Sequence, residues 1–295
     1  VKTRLAPRPE EVRQSAQYRL FVEGQGENGF DIQVLKQLLH DTDISIKPLG
    51  PSHHISAAAE ALHAHHPNDY FLIDRDHHDE GRVDKSWKDF PDETQHNLLI
   101  WRRRELENYF LIPEYLSKSR YLSCSITDLR KRIVEQAQQR VFLDIANLTI
   151  IEIRERLKRN WIEIFSGPTG LETREAALDK LLKRQEFKKK KNSDVQILGT
   201  ARIERRFNEL VDQFFGGNKR LRFGNGIWLE MIKPKPVLNS IIDSCFNVLD
   251  ARGKPVTGSQ KVIEVAKNLV RLSVEDQPND FQELHRLVME RVRKH

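Results

Sequence analysis

The chain has few cysteines and no long apolar run. Its 295 residues include 2 cysteines, Cys124 and Cys245. They form no closely spaced pair, so the sequence predicts no disulfide framework and favours a reducing compartment, the cytoplasm. No apolar stretch reaches the length that spans a bilayer, and the basic, proline-containing first residues lack the apolar middle of a signal peptide. We therefore expect neither a membrane partner nor secretion.

A nucleotide-hydrolysing motif is also missing. The sequence contains no Gly-x-x-x-x-Gly-Lys-Ser/Thr segment, so any work driven by ATP would belong to a partner. What the chain does have is a composition of 38% hydrophobic and 31% charged residues. That balance suits a globular protein with a core large enough for two modest domains or one elaborated domain.

The charge of the chain is unevenly distributed. Residues 1–113 carry 14 Lys and Arg against 19 Asp and Glu, whereas the remainder carries 35 against 24. An acidic first part and a basic second part are what a metal-dependent enzyme acting on a polyanion would need. The alternative is that the basic part is an ordinary solvated helical surface that binds nothing.

Two apolar segments end abruptly in acid. Residues 18–22 and 70–73 have the apolar character of buried strands of a parallel sheet. The acids that follow these strands are Glu23, Glu27, Asp74 and Asp76. Because the carboxyl ends of parallel strands meet at one edge of the sheet, we expect these four carboxylates to converge. Such a cluster repels itself unless a cation compensates it, and oxygen ligands favour Mg²⁺ or Mn²⁺.

The rest of the pattern predicts an α/β domain followed by a helical one. We predict strands at residues 18–22, 44–49, 70–73 and 97–101, helices at residues 30–39 and 55–65, and a mobile loop at residues 77–96. Beyond residue 125 the pattern is helical, with a long periodic run to residue 165 and helices at residues 173–184, 200–215, 236–250, 259–272 and 279–293. The sequence thus indicates a Rossmann-like parallel sheet in residues 1–113 and a mostly helical, basic domain in residues 114–295.

The motifs Val22-Glu23-Gly24-x-x-Glu27 and Asp74-x-Asp76 resemble the Toprim domain, the metal-binding module of topoisomerases, primases and several nucleases. The second acid, Glu27, matches the variant found in overcoming-lysogenisation-defect (OLD) nucleases. The segment from Arg104 to Phe110 is similar to a signature of Toprim-like proteins encoded beside an AAA or ABC-type ATPase in bacterial anti-phage loci. The specific motifs cover residues 19–112, while the length and helical second half are similar to the Toprim effectors of PARIS-type systems.

This resemblance implies a metal-dependent endonuclease that aborts infection, with Glu23, Asp74 and Asp76 as magnesium ligands. For PARIS-type relatives the implied substrate is RNA, with transfer RNA favoured, whereas OLD-type relatives imply DNA nicking. A non-catalytic Toprim assembly module is the alternative from another class of protein. The resemblance also implies an ATPase partner that holds the protein inactive and a homodimer as the active form.

Further residues are predicted to contribute to this site. Glu107 is expected to be a fifth catalytic acid, with Glu105 as its competitor, although salt bridges to neighbouring arginines would also explain both residues. The predicted nucleic-acid contacts are Arg75, His77, Lys188, Lys189, Lys190, Lys191, Lys219 and Arg220. The counterpart of the late lysine of OLD-type enzymes stays open among Lys85, Lys88 and residues 102–104. Histidines 63, 65 and 66 are interpreted as an exposed helix end rather than a zinc site.

Overall fold

The computed structural model describes residues 18–24, 26–62, 65–76, 78–90, 97–157, 163–190 and 195–292. The chain divides into two compact units. The first contains Val1–Arg102 together with Ile263–His295, and the second contains Arg103–Val262. Among the described residues, no helix is long and apolar enough to cross a membrane. Residues 77 and 91–96 of the predicted loop lie outside the described residues.

The first unit is built on a parallel sheet of four strands. These strands are β1 (Tyr18–Val22), β2 (Ile44–Pro48), β3 (Asp69–Ile73) and β4 (Leu98–Ile100). Their order across the sheet is β2-β1-β3-β4, and every pairing is parallel. All five residues of β3 are buried, because an inner strand of a parallel sheet is covered on both faces. The predicted α/β class and the position of the strands are confirmed.

Three helices follow the first three strands: α1 (Phe30–Leu38), α2 (Ser52–Leu62) and α3 (Glu80–Asp89). The prediction of a mobile loop over residues 77–96 is wrong for residues 80–89, which form α3. The Asp79 side chain accepts the Arg82 N–H at 3.0 Å and so caps the first turn of this helix. Its apolar face contains only Val83 and Trp87 among many charges, so a composition-based reading of this segment suggests a loop.

Helix α3 protects the outer edge of the sheet. The Trp87 indole Nε1–H donates to the Ile100 carbonyl at 2.7 Å, and the Ile100 N–H donates to the Ser86 hydroxyl at 3.2 Å. Both backbone groups of this edge residue are therefore satisfied by side chains. An edge strand that is occupied in this way is less open to pairing with another chain.

The described part of the second unit is mostly helical, as predicted. It contains a 3₁₀ helix (Leu106–Leu111), α4 (Pro113–Leu116), α5 (Ile126–Gln138), α6 (Val141–Leu157), α7 (Arg174–Leu182), α8 (Gln185–Lys190), α9 (Val195–Leu198), α10 (Thr200–Phe215), α11 (Trp228–Met231) and α12 (Pro234–Cys245). The long helical run predicted to reach residue 165 is instead two helices, and residues 163–165 are not helical. Between these two helices, Arg140 forms a bidentate ion pair with Asp144 of α6, and both N···O distances are 2.9 Å.

The last part of the chain returns to the first unit. The division between units falls within α13 (Gly258–Val270), and α14 (Asn279–Val292) follows. Phe281 of α14 packs on Trp101 with ring centroids 5.7 Å apart, and Arg291 Nε donates to the Tyr70 hydroxyl at 3.1 Å. The division therefore differs from the predicted boundary at residue 113, since the contacts that define it join residues far apart in sequence.

Candidate active site

The first acid, Glu23, follows β1 at a turn that requires glycine. Gly24 has φ 128° and forms a two-hydrogen-bond bridge with Gly50, which follows β2 and has φ 96°. The two N–H···O distances are 3.2 and 2.9 Å. Side chains with a Cβ rarely adopt these backbone angles. The bridge ties the turn after β1 to the turn after β2 and fixes the backbone directly beside Glu23.

The Glu23 side chain reaches the end of the neighbouring strand. Its Oε1 accepts the Asp74 N–H at 3.0 Å. Val22 of β1 is in register with Leu72 of β3, so the residues that follow these strands leave the sheet side by side. Glu23 and Asp74 are both partly exposed. The structure thus brings together the first acids of the two predicted motifs.

The turn after β3 carries unusual backbone geometry at Asp76. Its φ of 45° makes it the single non-glycine residue with positive φ among those the structure describes. Aspartate tolerates this left-handed region better than most residues, yet the conformation still costs free energy. Residues in such conformations cluster at functional turns, where surrounding contacts hold them in place.

Arg75, between the two aspartates, braces this turn. Its Nη1 donates to the Arg102 carbonyl at 2.9 Å and its Nε donates to the His78 carbonyl at 3.3 Å. The His78 N–H in turn donates to the Arg75 carbonyl at 2.7 Å. The predicted role of Arg75 in nucleic-acid binding stays a prediction, and His77 lies outside the described residues. In the structure, the Arg75 side chain contacts backbone carbonyls, and these contacts hold the Asp-x-Asp turn in place.

The brace continues to the C-terminal helix through Arg102. Arg102 Nη1 lies 2.6 Å from Asp280 Oδ1 and 2.8 Å from Glu283 Oε2, and its guanidinium lies 4.0 Å from the centre of the Trp87 ring. Burial lowers the pKa of Arg102, but the hydrogen bonds that it donates to Glu283 and Asp280 outweigh this effect, and the net shift is upward. These partners were not predicted, because 178 positions separate Arg102 from Asp280.

Glu27 stands apart from the other acids. Its Oε2 lies 2.5 Å from Lys36 Nζ and its Oε1 lies 4.0 Å from Lys47 Nζ. The hydrogen bond from Lys36 lowers the pKa of this exposed carboxyl. Among the described residues, no group of three or more His, Cys, Asp and Glu side chains is arranged to hold a metal ion. The expectation that all four carboxylates converge is therefore wrong, since Glu27 pairs with lysines from α1 and β2.

Glu105 and Glu107 belong to the second unit, where they share one lysine. Lys235 Nζ lies 3.2 Å from Glu105 Oε2 and 3.5 Å from Glu107 Oε1. Both carboxylates are buried, with 7% and 3% of their surface exposed. The ion-pair partner that the structure shows for both residues is Lys235, 128 or more positions further along the chain. The catalytic role of Glu107 stays a prediction.

The predicted basic contacts are exposed where the structure describes them. Lys188, Lys219 and Arg220 are exposed; Lys189 and Lys190 lie in α8 with side chains outside the described set, and Lys191 lies outside the described residues. Lys219 and Arg220 occupy the loop between Gly216 and Gly226, whose backbones approach each other closely. A Cβ on Gly226 would lie 2.2 Å from the Phe214 carbonyl oxygen, so only glycine allows this close approach. Lys85 and Lys88 are exposed on α3.

Comparison of the chain with protein-family models and with curated proteins finds no match. A functional assignment therefore rests on the chain's own residues. The oxygen donors that Glu23, Asp74 and Asp76 provide have the chemistry that Mg²⁺ and Mn²⁺ prefer. The contact between Glu23 and the Asp74 backbone fits this role, because it holds two of the three acids at one edge of the sheet.

Proposed function

We propose that the protein is a metal-dependent nuclease of the Toprim class, with Glu23, Asp74 and Asp76 as its metal ligands. The observation that supports this proposal is the hydrogen bond from the Asp74 N–H to Glu23 Oε1 at 3.0 Å. It joins acids from two strand ends that are 51 positions apart in sequence. Because the donor is a backbone N–H, the contact fixes the Glu23 carboxylate beside the residue that carries the Asp74 carboxylate.

The three acids would bind a metal ion at this edge of the sheet, and Glu23 would have a second role. A bound Mg²⁺ or Mn²⁺ would neutralise the phosphate and the leaving oxygen. Glu23 is oriented by the Asp74 N–H, which makes it both a ligand and a suitable acceptor for the proton of an attacking water. The bridge at Gly24 and the brace at Arg75 hold the two turns in place, so little reorganisation is needed when the ligands act.

RNA is the proposed substrate, with transfer RNA favoured by the resemblance to PARIS-type effectors. The excess of Lys and Arg beyond residue 113 suits a phosphate backbone, which would be bound without reading of bases. The exposed residues Lys188, Lys219 and Arg220 are suitable phosphate contacts. The same resemblance extends the proposal to an ATPase subunit that stores the protein inactive and to a homodimer that acts after release.

Cleavage assays with matched variants test the proposal. Purified protein is incubated with transfer RNA and, separately, with supercoiled plasmid, in Mg²⁺, in Mn²⁺ or in EDTA. We expect divalent-dependent cleavage of RNA that is lost in Glu23→Gln and Asp74→Asn but kept in Glu60→Gln, an exposed acid on α2. Cleavage of plasmid alone would favour the OLD-type alternative. Equal inertness of wild type and Glu23→Gln on both substrates, with the ATPase subunit supplied, would favour a non-catalytic assembly module.

Assembly is tested by light scattering of the protein alone and with the ATPase. We expect a stable complex in which cleavage is suppressed, and a dimer after release. A protein that stays monomeric and shows no affinity for the ATPase in any nucleotide state would contradict this part of the proposal. The cleavage assay decides the nuclease assignment independently.

A further inference from the structure

The second unit carries a basic loop, residues 216–227, which joins α10 to α11. It contains three cations within four positions, Lys219, Arg220 and Arg222, and neither Asp nor Glu. All three side chains are exposed, and none of them forms an ion pair with a carboxylate of the described residues. Arg206 of α10, by contrast, is held by two glutamates. The charges of the basic loop are therefore available to a partner.

The two ends of the basic loop meet at a pair of glycines. Gly216 and Gly226 have φ 55° and 67°, and a Cβ on Gly216 would lie 2.5 Å from the Gly226 nitrogen. A side chain at this position would therefore force the two ends apart. Just beyond the pair, the Ile227 N–H donates to the Gln213 carbonyl at 3.0 Å. The basic loop is thus closed at its base.

The middle of the basic loop is anchored as well. Leu221, between the two arginines, is only 2% exposed, and its N–H donates to Oε1 of Gln138, the last residue of α5, at 3.2 Å. The Arg222 carbonyl accepts the Nε1–H of Trp228 at 3.0 Å, and the Trp228 side chain is buried. The backbone that carries the cations is therefore held before any partner binds, which lowers the ordering cost of association.

The composition of this surface favours a phosphate backbone over a protein as its partner. The apolar side chains of the basic loop are turned away from solvent, since Leu221 is buried and Phe223 and Ile227 are half-buried. Its exposed residues are the three cations, glycines and Asn225. The core of a protein interface is apolar or aromatic, whereas phosphates are held by Lys, Arg and other polar groups. The basic loop exposes only groups of the second kind.

We propose that the basic loop is a preformed binding site for the phosphate backbone of RNA, in which Arg222 acts together with Lys219 and Arg220. The identity of the nucleic acid rests on the proposed function, whereas the binding of a phosphate backbone rests on the loop itself. Because phosphate contacts carry no sequence information, the loop binds RNA without regard to sequence. Each phosphate that it neutralises releases counterions, so its contribution appears as a steep dependence of affinity on salt.

The test measures binding separately from cleavage. Full-length protein is titrated with fluorescently labelled transfer RNA in EDTA, at NaCl concentrations between about 50 and 200 mM, and log Kd is plotted against log salt. The combined variant Lys219→Ala, Arg220→Ala and Arg222→Ala should weaken binding by about 10-fold at the lowest salt and reduce the slope by about 2. Each single variant should reduce the slope by about 0.7–0.9, which keeps the test decisive if the combined variant does not fold.

The matched control removes the same charge from cations that already have a partner. Lys131→Ala, Lys183→Ala and Arg205→Ala are combined in one chain. Each of these side chains is at least 69% exposed and forms an ion pair with a carboxylate four positions away. This variant should keep the Kd and the slope of the wild type. An equal loss in both combined variants would mean that net charge alone attracts RNA, and it would overturn the proposal.

Hydrogen exchange tests whether the basic loop is preformed. The amides of Leu221 and Ile227 donate hydrogen bonds within the free protein, so they should be protected from exchange without RNA and change little when transfer RNA binds. Rapid exchange that slows only in the complex would show that RNA orders the loop, and it would overturn the preformed site.

The outcomes separate this proposal from the nuclease assignment. Binding of RNA through the basic loop without divalent-dependent cleavage would support the loop and contradict the nuclease. Cleavage together with wild-type affinity and slope in the combined loop variant would do the reverse. A duplex DNA of similar length is titrated in parallel, and a loop-dependent slope with DNA alone would overturn the choice of RNA. Loss of ATPase binding in place of RNA binding would make the loop a protein interface and overturn the proposal.

Discussion

Two acidic regions of the molecule are alike in sequence and different in structure. Glu23 and Asp74 are partly exposed, and a backbone N–H holds their contact. Glu105 and Glu107 are buried, and Lys235 lies within 3.5 Å of both. The first arrangement places two partly exposed acidic residues side by side at one edge of the sheet. The second sets a lysine against its carboxylates, so it has much less need of a cation.

The surroundings of the two regions strengthen this contrast. Beside the first pair, Asp76 adopts a costly positive φ, which is typical of functional turns. Beside the second pair, Asn108 joins its own segment to the chain around α11: its Nδ2 donates to the carbonyls of Leu229 and Ile232 at 3.1 and 2.9 Å. The first region has a strained turn beside its acids, whereas the second connects parts of the second unit.

The strongest test of this contrast compares Glu23→Gln with Glu107→Gln by calorimetric titration with Mn²⁺. Glu23→Gln should weaken Mn²⁺ binding by more than the roughly 10- to 100-fold that changes around a metal ligand produce. It should leave the stability nearly unchanged. Glu107→Gln should instead lower the stability, because Lys235 loses one of its two partners, and keep the Mn²⁺ affinity. A comparable loss of affinity in both variants would add Glu107 to the metal site and remove the distinction.

The next test concerns Asn108, which is fully buried. Besides its two donated hydrogen bonds, its Oδ1 accepts the Glu105 N–H at 2.9 Å. Asn108→Ala leaves three backbone groups without this partner, two of them in buried hydrogen bonds and one in a partly buried one, at about 1–3 kcal/mol for each buried group. We expect the free energy of unfolding in urea to fall by about 3 kcal/mol or more. Asn247→Ala, at an exposed position of the same unit, should change it by less than about 0.5 kcal/mol.

A smaller effect is expected from the brace of the first unit. Arg102→Met removes the ion pairs with Asp280 and Glu283 and the contact with Trp87. It should cost about 1–3 kcal/mol in urea unfolding, because Asp280 is only 13% exposed. It should also weaken Mn²⁺ binding, because the lost side-chain contacts hold the backbone of Arg102, whose carbonyl accepts the hydrogen bond from Arg75.

The control for this variant lies on α14, the helix that carries Asp280 and Glu283. Arg286→Met removes an exposed ion pair with Glu290, which is worth at most about 0.5 kcal/mol. If both arginine variants have equal effects on stability and Mn²⁺ affinity, the brace from α14 to the Asp-x-Asp turn plays no part in the site.

The sequence pattern predicted those parts of the fold that are decided by residues close together in the sequence. The bounds of β1, the buried run of β3 and the meeting of Glu23 with Asp74 follow from apolar runs and from the geometry of parallel strands. Helix α3 was missed because its apolar face is only Val83 and Trp87 within a charged segment. Such a weak apolar pattern is a smaller signal than the charged composition of the segment, which favours a loop.

The long-range contacts had no local signal at all. The partners of Arg102 lie at the other end of the chain, and nothing in the spacing of Lys235 from Glu105 predicts their ion pair. The same holds for the segments that contain the two cysteines: the bridge between Leu122 and Phe246 joins them, although 122 positions separate Ser123 from Cys245. Such pairs are decided by how helices pack, which only the folded chain reveals.

The smallest predicted effect separates Glu27 from the acids of the candidate site. Lys36 lowers the pKa of Glu27 in the folded protein. A carboxyl with a lowered pKa contributes stability that is present above its unfolded pKa and is lost as the pH falls through the folded value. Glu27 is exposed and its ion pair is screened, so Glu27→Gln should cost at most about 0.5 kcal/mol at pH 7.

That difference between wild type and Glu27→Gln in urea unfolding should vanish once the pH falls well below 4.5, the ordinary pKa of the group. The Mn²⁺ affinity should be the same in both proteins at pH 7, because Glu27 is held by lysines rather than by Asp74. A large loss of Mn²⁺ affinity would mean that Glu27 leaves Lys36 when a cation binds. The site would then gain the fourth carboxylate that the OLD-type pattern implies, and the contrast with Glu105 and Glu107 would sharpen further.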